Sequence, residues 1–412
     1  MTDRPVKTIN RGVVLVCCAV CGGLTGAIYM WSIFKIPLMQ ATGLSSTTIT
    51  FAYSLFEIMA LISSLLCGLV LKKVKISTLV GIAGAGFGLG WLLTGFADTA
   101  WKLYLFFSII GGLSDGFIYN STVSVVMRWF PDKRGFANGI CIGAMGLAPL
   151  FFAPLGNAFI EHFDVFTAFM LCGGIFIVMR FTFGWFVKNP PEGYMPAGWD
   201  PAKTEAVISK KDIATKDMFK MPLFYVILVF FTFADCAALM LTAHASAIGQ
   251  EMCGLSASQG AALVGLMAVG SFLGRFGFGA LSDGIGRYKA LSIALIITAL
   301  DMFFLIGQAG SFVEFMLTIG LVGLCYGGVM TIVPSLTADI FGNKYFSSNY
   351  AWMFAGFTAA SFIGPMLAAA ISEKTGSYET AFILAGILSV ISLALVLTAS
   401  KLNKKLNAVR ED

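Results

Sequence analysis

Apolar residues in this chain fall into runs of about 20, and the runs recur from one end to the other. A run of that length crosses a hydrocarbon core of about 30 Å as an α-helix. Twelve spans are predicted, at 11–34, 47–71, 76–97, 101–128, 135–158, 166–188, 222–245, 257–281, 288–308, 311–337, 346–371 and 379–400. Within each run the apolar positions are continuous and do not alternate, which argues against a membrane β-barrel. The first run is too long for a cleaved secretory leader and counts as a helix. Short polar turns join the runs, with one exception: NPPEGYMPAGWDPAKTEAVISKKDIATKDMFKM at 189–221 is long, charged and Pro-containing. The expected organisation is an all-α polytopic membrane protein. It has a six-helix bundle over 1–188, a linker over 189–221, a second six-helix bundle over 222–400 and a tail over 401–412.

Composition agrees with this pattern. Charged residues make up 12% of the chain and hydrophobic ones 58%, against about 25% charged in soluble domains. The mean hydropathy is +0.85. A net charge of +5 would ordinarily raise the question of anionic partners, but its distribution along the spans reads as topology. Only Lys35, Lys102 and Lys374 fall on one side, and Arg180 and Arg275 fall inside spans. The rest of the 27 Lys and Arg lie on the other side. The positive-inside rule then puts both termini and the linker in the cytoplasm, with the protein in the cell membrane, inner or plasma. The nine cysteines lie mostly in apolar runs, three of them (Cys17, Cys18, Cys21) in the first, and read as small buried hydrophobes. No cofactor, metal or nucleic acid is expected, and the lipid bilayer is the one extended partner of an expected monomer. The chain has no H-E-x-x-H or G-x-x-x-x-G-K-[ST] stretch, and neither an enzyme nor an ATP-driven pump is expected.

The two halves repeat. Gly68, Lys72 and Lys75 match Gly279, Asp283 and Gly286. Phe130, Lys133 and Asn138 match Phe341, Lys344 and Asn349, and Pro154 matches Pro365, all 211 residues apart. Thr167-Ala168-Phe169 returns as Thr380-Ala381-Phe382, 213 residues later, as a two-residue loop insertion would produce. Homologous halves related by an axis along the membrane normal place a binding site between them near the midplane. One charge at that depth needs an explanation. Arg275 sits inside the apolar stretch GLMAVGSFLGRFGFGALSDGIGRYK at 265–289, and a guanidinium keeps its proton. Its partner is expected to be a carboxylate, either on a neighbouring helix or on a substrate, since the planar fork matches a carboxylate bidentately.

The turn Gly279-x-x-x-Asp283-x-x-Gly286-Arg287-x-Lys289 resembles the loop signature of the major facilitator superfamily, although the first-half copy carries Lys72 and Lys75 where Asp and Gly stand. RWFPDKRG at 128–135, PSLTADIFG at 334–342 and NPPEGYMPAGW at 189–199 resemble the oxalate/formate antiporter family and its monocarboxylate-transporting relatives. The resemblance covers nearly the whole chain. It implies that Arg275 binds a substrate carboxylate, that Asp283, Arg287 and Lys289 belong to a cytoplasmic gate, and that helices 2, 4 and 7 line the cavity. Family members resembling dicarboxylate carriers have a second cation in helix 11, where this chain has Phe357.

Four acids lie inside spans: Glu57, Asp115, Asp235 and Asp301. A carboxylate can neutralise itself by taking a proton, so Glu57, Asp115 and Asp235 are candidates for proton coupling, and Asp301 is expected to be structural. His244 is a further pH-sensing candidate. Tyr29, Tyr119 and Tyr326 are placed to offer hydroxyls to a carboxylate and rings to a small apolar tail. Arg180 is expected to snorkel towards headgroups. One permanent cation with an aromatic wall suits a monoanion with an apolar end. The expected function is secondary transport of a short monocarboxylate such as lactate or pyruvate, with a proton as symport partner and alternating access as the mechanism. The alternative is carboxylate exchange of the oxalate/formate type.

Overall fold

The structure, a computed structural model, describes residues 9–71, 73–130, 134–191, 194–196, 212–342 and 345–411. Lys72, Lys133, Lys344 and most of the linker lie outside the described residues. The chain forms α1 (Arg11–Thr42), α2 (Ser46–Val70), α3 (Ile76–Thr94), α4 (100–129), α5 (Arg134–His162) and α6 (Val165–Gly184). After the linker come α7 (Pro222–Cys253), α8 (Ala257–Ile285), α9 (Arg287–Gln308) and α10 (Phe312–Phe341). α11 follows in two pieces, Phe346–Met353 and Ala355–Thr375, and α12 is Glu379–Glu411. Eleven helices among the described residues are long and apolar enough to span a membrane. The twelfth segment, α4, is diluted by Asp115, Asn120 and Arg128, and a π-helical stretch at Tyr104–Gly111 breaks its regular winding.

The repeat reappears in how the helices begin and end. α1 and α7 stop at Gly43 and Gly254, whose φ values of 69° and 61° lie in the left-handed region that a side chain disfavours. Two residues later, Ser45 and Ser256 start α2 and α8, each hydroxyl accepting a backbone N–H three residues on. Asp164 accepts the Phe166 N–H at the start of α6, as Ser377 accepts the Glu379 N–H at the start of α12. Hydrogen bonds from Thr167 hold the exposed Asp164 carboxyl below the usual range.

Packing follows the same plan in both halves. In the first, α1 packs on α5, α2 on α4 and α3 on α6; in the second, α7 packs on α11, α8 on α10 and α9 on α12. One contact is shared down to the atom. A Cβ at Gly116 would collide with the Ala60 carbonyl, and a Cβ at Gly327 with the Ser271 carbonyl, so each helix pair touches backbone to backbone. This is two homologous six-helix bundles, and the principal seams between them among the described residues are α1–α7, α2–α11 and α5–α8.

The α2–α11 seam is closed at one end and open at the other. Away from the termini, Ser54 donates to the Ser361 carbonyl at 3.0 Å, and Thr47 donates through its backbone N–H and its hydroxyl to Glu373. Towards the termini the helices splay around a space of about 1130 Å³ lined by Ser64, Gly68, Asn120, Arg128, Ser348 and Trp352. The chain is therefore shut on the face opposite its termini and open towards them.

Two helices run further than their apolar runs predicted. α1 passes through Pro37 to Thr42, so Lys35, expected in an outer loop, is buried with 2% exposure. α7 continues to Cys253, so His244 is inside the helix and fully buried, not at its end. Arg180 corrects another expectation. It does not snorkel but lies buried in the first bundle, its guanidinium 3.8 Å from the centre of the Phe87 ring. Asp115 is the carboxylate whose charge reaches it.

Candidate functional site

Two cavities of similar size lie side by side between the bundles. The first, about 380 Å³, is lined by Gly146 and Pro149 of α5, Thr242 of α7, Ala268, Ser271 and Arg275 of α8, and Tyr326 of α10. The second, about 390 Å³, is lined by Glu57, Ala60 and Ser64 of α2, Asp115 and Tyr119 of α4, and Phe354 and Phe357 of α11. Tyr29 of α1 borders both. Sequence reasoning placed Arg275, the three tyrosines, Phe357 and three acids around one cavity; the structure divides them between two and leaves Asp235 out of both. Arg275, Tyr326 and Tyr29 share the cation chamber, and Glu57, Asp115, Tyr119, Phe357 and Tyr29 share the acid chamber.

Arg275 is 8% exposed. Its Nη1 donates to the Ile142 carbonyl at 2.6 Å, across the α5–α8 seam, and its Nε has no hydrogen-bond partner among the described residues. No ion pair within 4.0 Å includes it among those residues. A buried permanent cation thus faces a largely apolar cavity with donors to spare and no protein carboxylate to meet them. The phenols of Tyr119, Tyr326 and Tyr350 are within its electrostatic reach.

In the acid chamber Glu57 and Asp115 are each 8% exposed. Opposite them α11 presents an aromatic face. Phe354 lies 4.7 Å from Phe357, 6.0 Å from Tyr350 and 6.4 Å from Tyr119, measured between ring centres. Tyr350 and Phe354 were missed in the sequence, although 350, 354 and 357 fall on one helical face, a signal that was available.

Asp235 and His244 line neither cavity. Asp235 is fully buried in α7, with no hydrogen-bond partner for either carboxylate oxygen among the described residues. His244 belongs to a separate cluster. Its Nδ1 is 2.7 Å from Lys35 Nζ, its Nε2 is 3.1 Å from the Pro365 carbonyl, and Lys35 also donates to the Tyr378 hydroxyl at 3.0 Å. Asp283, Arg287 and Lys289 stand at the α8–α9 turn and line neither chamber. Arg287 meets Asp283 at 2.5 Å and Asp339 of α10 at 3.3 Å, so these contacts stay within the second bundle, while Lys289 is exposed.

Comparison with known proteins agrees with this architecture. The family model of the Major Facilitator Superfamily matches residues 15–306 and 236–412. The oxalate:formate antiporter of Oxalobacter formigenes is 30% identical over 90% of this chain and 87% of its own. Monocarboxylate transporter 12 of Rattus norvegicus is 23% identical over 91% of this chain and 82% of its own. Among solved structures, a bacterial homolog of the human lysosomal transporter Spinster, inward-facing and unoccupied, superposes with a TM-score of 0.72. It is 15% identical and covers 96% of this chain and 98% of that one. These relatives are transporters and not enzymes. The chain is a multi-pass membrane transporter and belongs to the major facilitator superfamily.

Proposed function

We propose that the protein carries small monocarboxylate anions of the lactate or pyruvate type, with a proton as co-substrate, by alternating access. The observation that carries this reading is Arg275, a buried guanidinium facing an apolar cavity with no carboxylate beside it among the described residues. A monoanion would neutralise it. A dianion would leave one charge unpaired in low dielectric, at a cost of several kcal/mol. Glu57 and Asp115, one chamber away, are the groups we assign to the proton. Anion plus proton crosses as a neutral pair, so the pH gradient alone would drive accumulation. We place the termini and linker in the cytoplasm on the strength of the Lys and Arg distribution, which makes the open face the cytoplasmic one. Asp283 and Arg287 then belong to the gate on that face, held within the second bundle while the face is open.

Purified protein in liposomes tests this. Lactate or pyruvate should accumulate when the outside is made acidic, and Arg275→Lys should lose that uptake. Oxalate transport with indifference to lactate and pyruvate would refute the monoanion assignment. The second reading, carboxylate exchange, is favoured by the 30% identity to the oxalate:formate antiporter. Uptake accelerated by internal anion and indifferent to an imposed pH gradient would establish it.

A further inference from the structure

The cluster around Lys35 lies outside both chambers, on the closed face, and it joins the bundles. Lys35 comes from α1 in the first bundle. His244 comes from α7, and Tyr378 from the turn between α11 and α12, both in the second. Exposures are 2%, 0% and 1%. With Lys35 as an ammonium, the hydrogen bonds fix where the imidazole proton sits. An ammonium can only donate, so Nδ1 of His244, 2.7 Å away, must be the acceptor. The ring proton is then on Nε2 and donates to the Pro365 carbonyl at 3.1 Å. Lys35 spends a second proton on the Tyr378 hydroxyl at 3.0 Å, and burial pushes that phenol's pKa up, so it remains a neutral acceptor.

The carboxylates facing the cluster are Glu251 at the end of α7 and Glu373 near the end of α11. Neither forms an ion pair within 4.0 Å of Lys35 among the described residues. Glu373 is instead taken by the Thr47 backbone and hydroxyl, in a second link between the bundles on the same face. Lys35 is therefore held in place by an imidazole lone pair and a hydroxyl, and the contact exists only while the imidazole is neutral.

We propose that Nδ1 of His244 is a proton-binding site that competes with Lys35, so that a proton arriving from the face opposite the termini unlatches the bundles there. A proton on Nδ1 removes the acceptor and puts two cations at a distance where one hydrogen bond stood. The repulsion is relieved when α1 and α7 separate on that face, which is the motion that admits substrate. A free imidazole takes its proton near pH 6.5, so opening should grow by up to about tenfold for each pH unit below that. The proposal rests on the alternating-access reading but on no particular anion.

Hydrogen–deuterium exchange on the full-length protein in nanodiscs, without substrate, is the test. It should be run at about pH 5.5 and about pH 8, on either side of a free imidazole's titration, and corrected for intrinsic exchange rates. In the wild type, peptides covering 31–42 and 236–253 should lose protection at the lower pH. His244→Gln and Lys35→Met, one lacking the proton site and the other lacking the second cation, should both abolish the difference. Tyr378→Phe should retain it, because the hydroxyl is not where the proton binds. A wild type without the pH response, or His244→Gln with the full response, would overturn the proposal. No anion is present, so failure of the monocarboxylate assignment would leave this outcome readable.

Discussion

The two chambers are copies of one another. Moving 211 residues along the chain turns Glu57 into Ala268, Ala60 into Ser271, Ser64 into Arg275 and Asp115 into Tyr326, and Phe357 is likewise the counterpart of Gly146. Each of these residues lines its own chamber. The backbone beneath is also duplicated, Gly116 against the Ala60 carbonyl on one side and Gly327 against the Ser271 carbonyl on the other. What differs is the chemistry. One copy carries a permanent cation and no acid; the other carries two acids and an aromatic wall. Duplication supplied a matched pair of cavities that now differ in charge, so a buried cation and two carboxyl groups adjoin without one carboxylate neutralising the arginine directly.

The sharpest way to break this division is at Arg275. Replacement by Gln should weaken carboxylate binding by about thirtyfold or more, the scale of a lost buried charge partner of about 2–5 kcal/mol. Substrate-induced thermal stabilisation would show it. Arg275→Lys keeps the charge but loses the planar fork, and it should retain only weak binding. Next in size is Glu57→Gln. It should abolish accumulation driven by a pH gradient while leaving anion counterflow within about threefold, because a neutral amide mimics the protonated acid but cannot release a proton. If counterflow collapsed as well, the acid chamber would be part of the substrate site and the division would fail.

Phe357→Lys would place a second cation between the bundles, in the acid chamber. It should shift preference towards a dicarboxylate by about tenfold in competition assays, since the second charge of a dianion would then be met. The duplicated scaffold makes a different forecast. Gly116→Ala and Gly327→Ala should destabilise by similar amounts, about 1–3 kcal/mol each, as overpacking of a backbone contact does. Thermal unfolding would reveal whether the two copies are mechanically equal. The smallest effect is expected at Tyr29, the residue between the chambers. Tyr29→Phe loses only a hydroxyl, and a net change of about 1 kcal/mol would appear as a fivefold rise in KM.

The apolar helices, the two homologous halves and a charge inside α8 could be read from the sequence because each depends on local pattern: a run of apolar residues, a recurring offset, a charge where none should be. The offset also held the pairing of the chambers, since Arg275 and Ser64 are repeat counterparts. It did not show that Glu57 and Arg275 occupy different cavities, because that depends on how α2 and α8 face their respective seams. Lys35 and His244 were out of reach for a related reason. They are 209 residues apart, and each was assigned to a helix end that the chain in fact continues past. Arg180 was misread because no local signal says that an arginine in an apolar helix will find the face of Phe87. The α11 aromatic face, by contrast, is legible from helical spacing alone, since 350, 354 and 357 share one side of a helix.

The winding of α1 gives the chambers and the far face a common mechanical element. Leu24–Met30, the seven residues that carry Tyr29, are wound as a 3₁₀-helix between two α-helical segments. At 3.0 residues per turn and about 2.0 Å rise, this stretch is longer and more tightly coiled than α-helix. Rewinding it to α geometry would shorten it by roughly 3–4 Å and turn everything beyond it by roughly 140°. Lys35 lies just beyond it, five residues after Met30. A change of pitch at Tyr29 would therefore reach the Lys35 ammonium as a screw motion along a single helix, with no need for a chain of side-chain contacts between them.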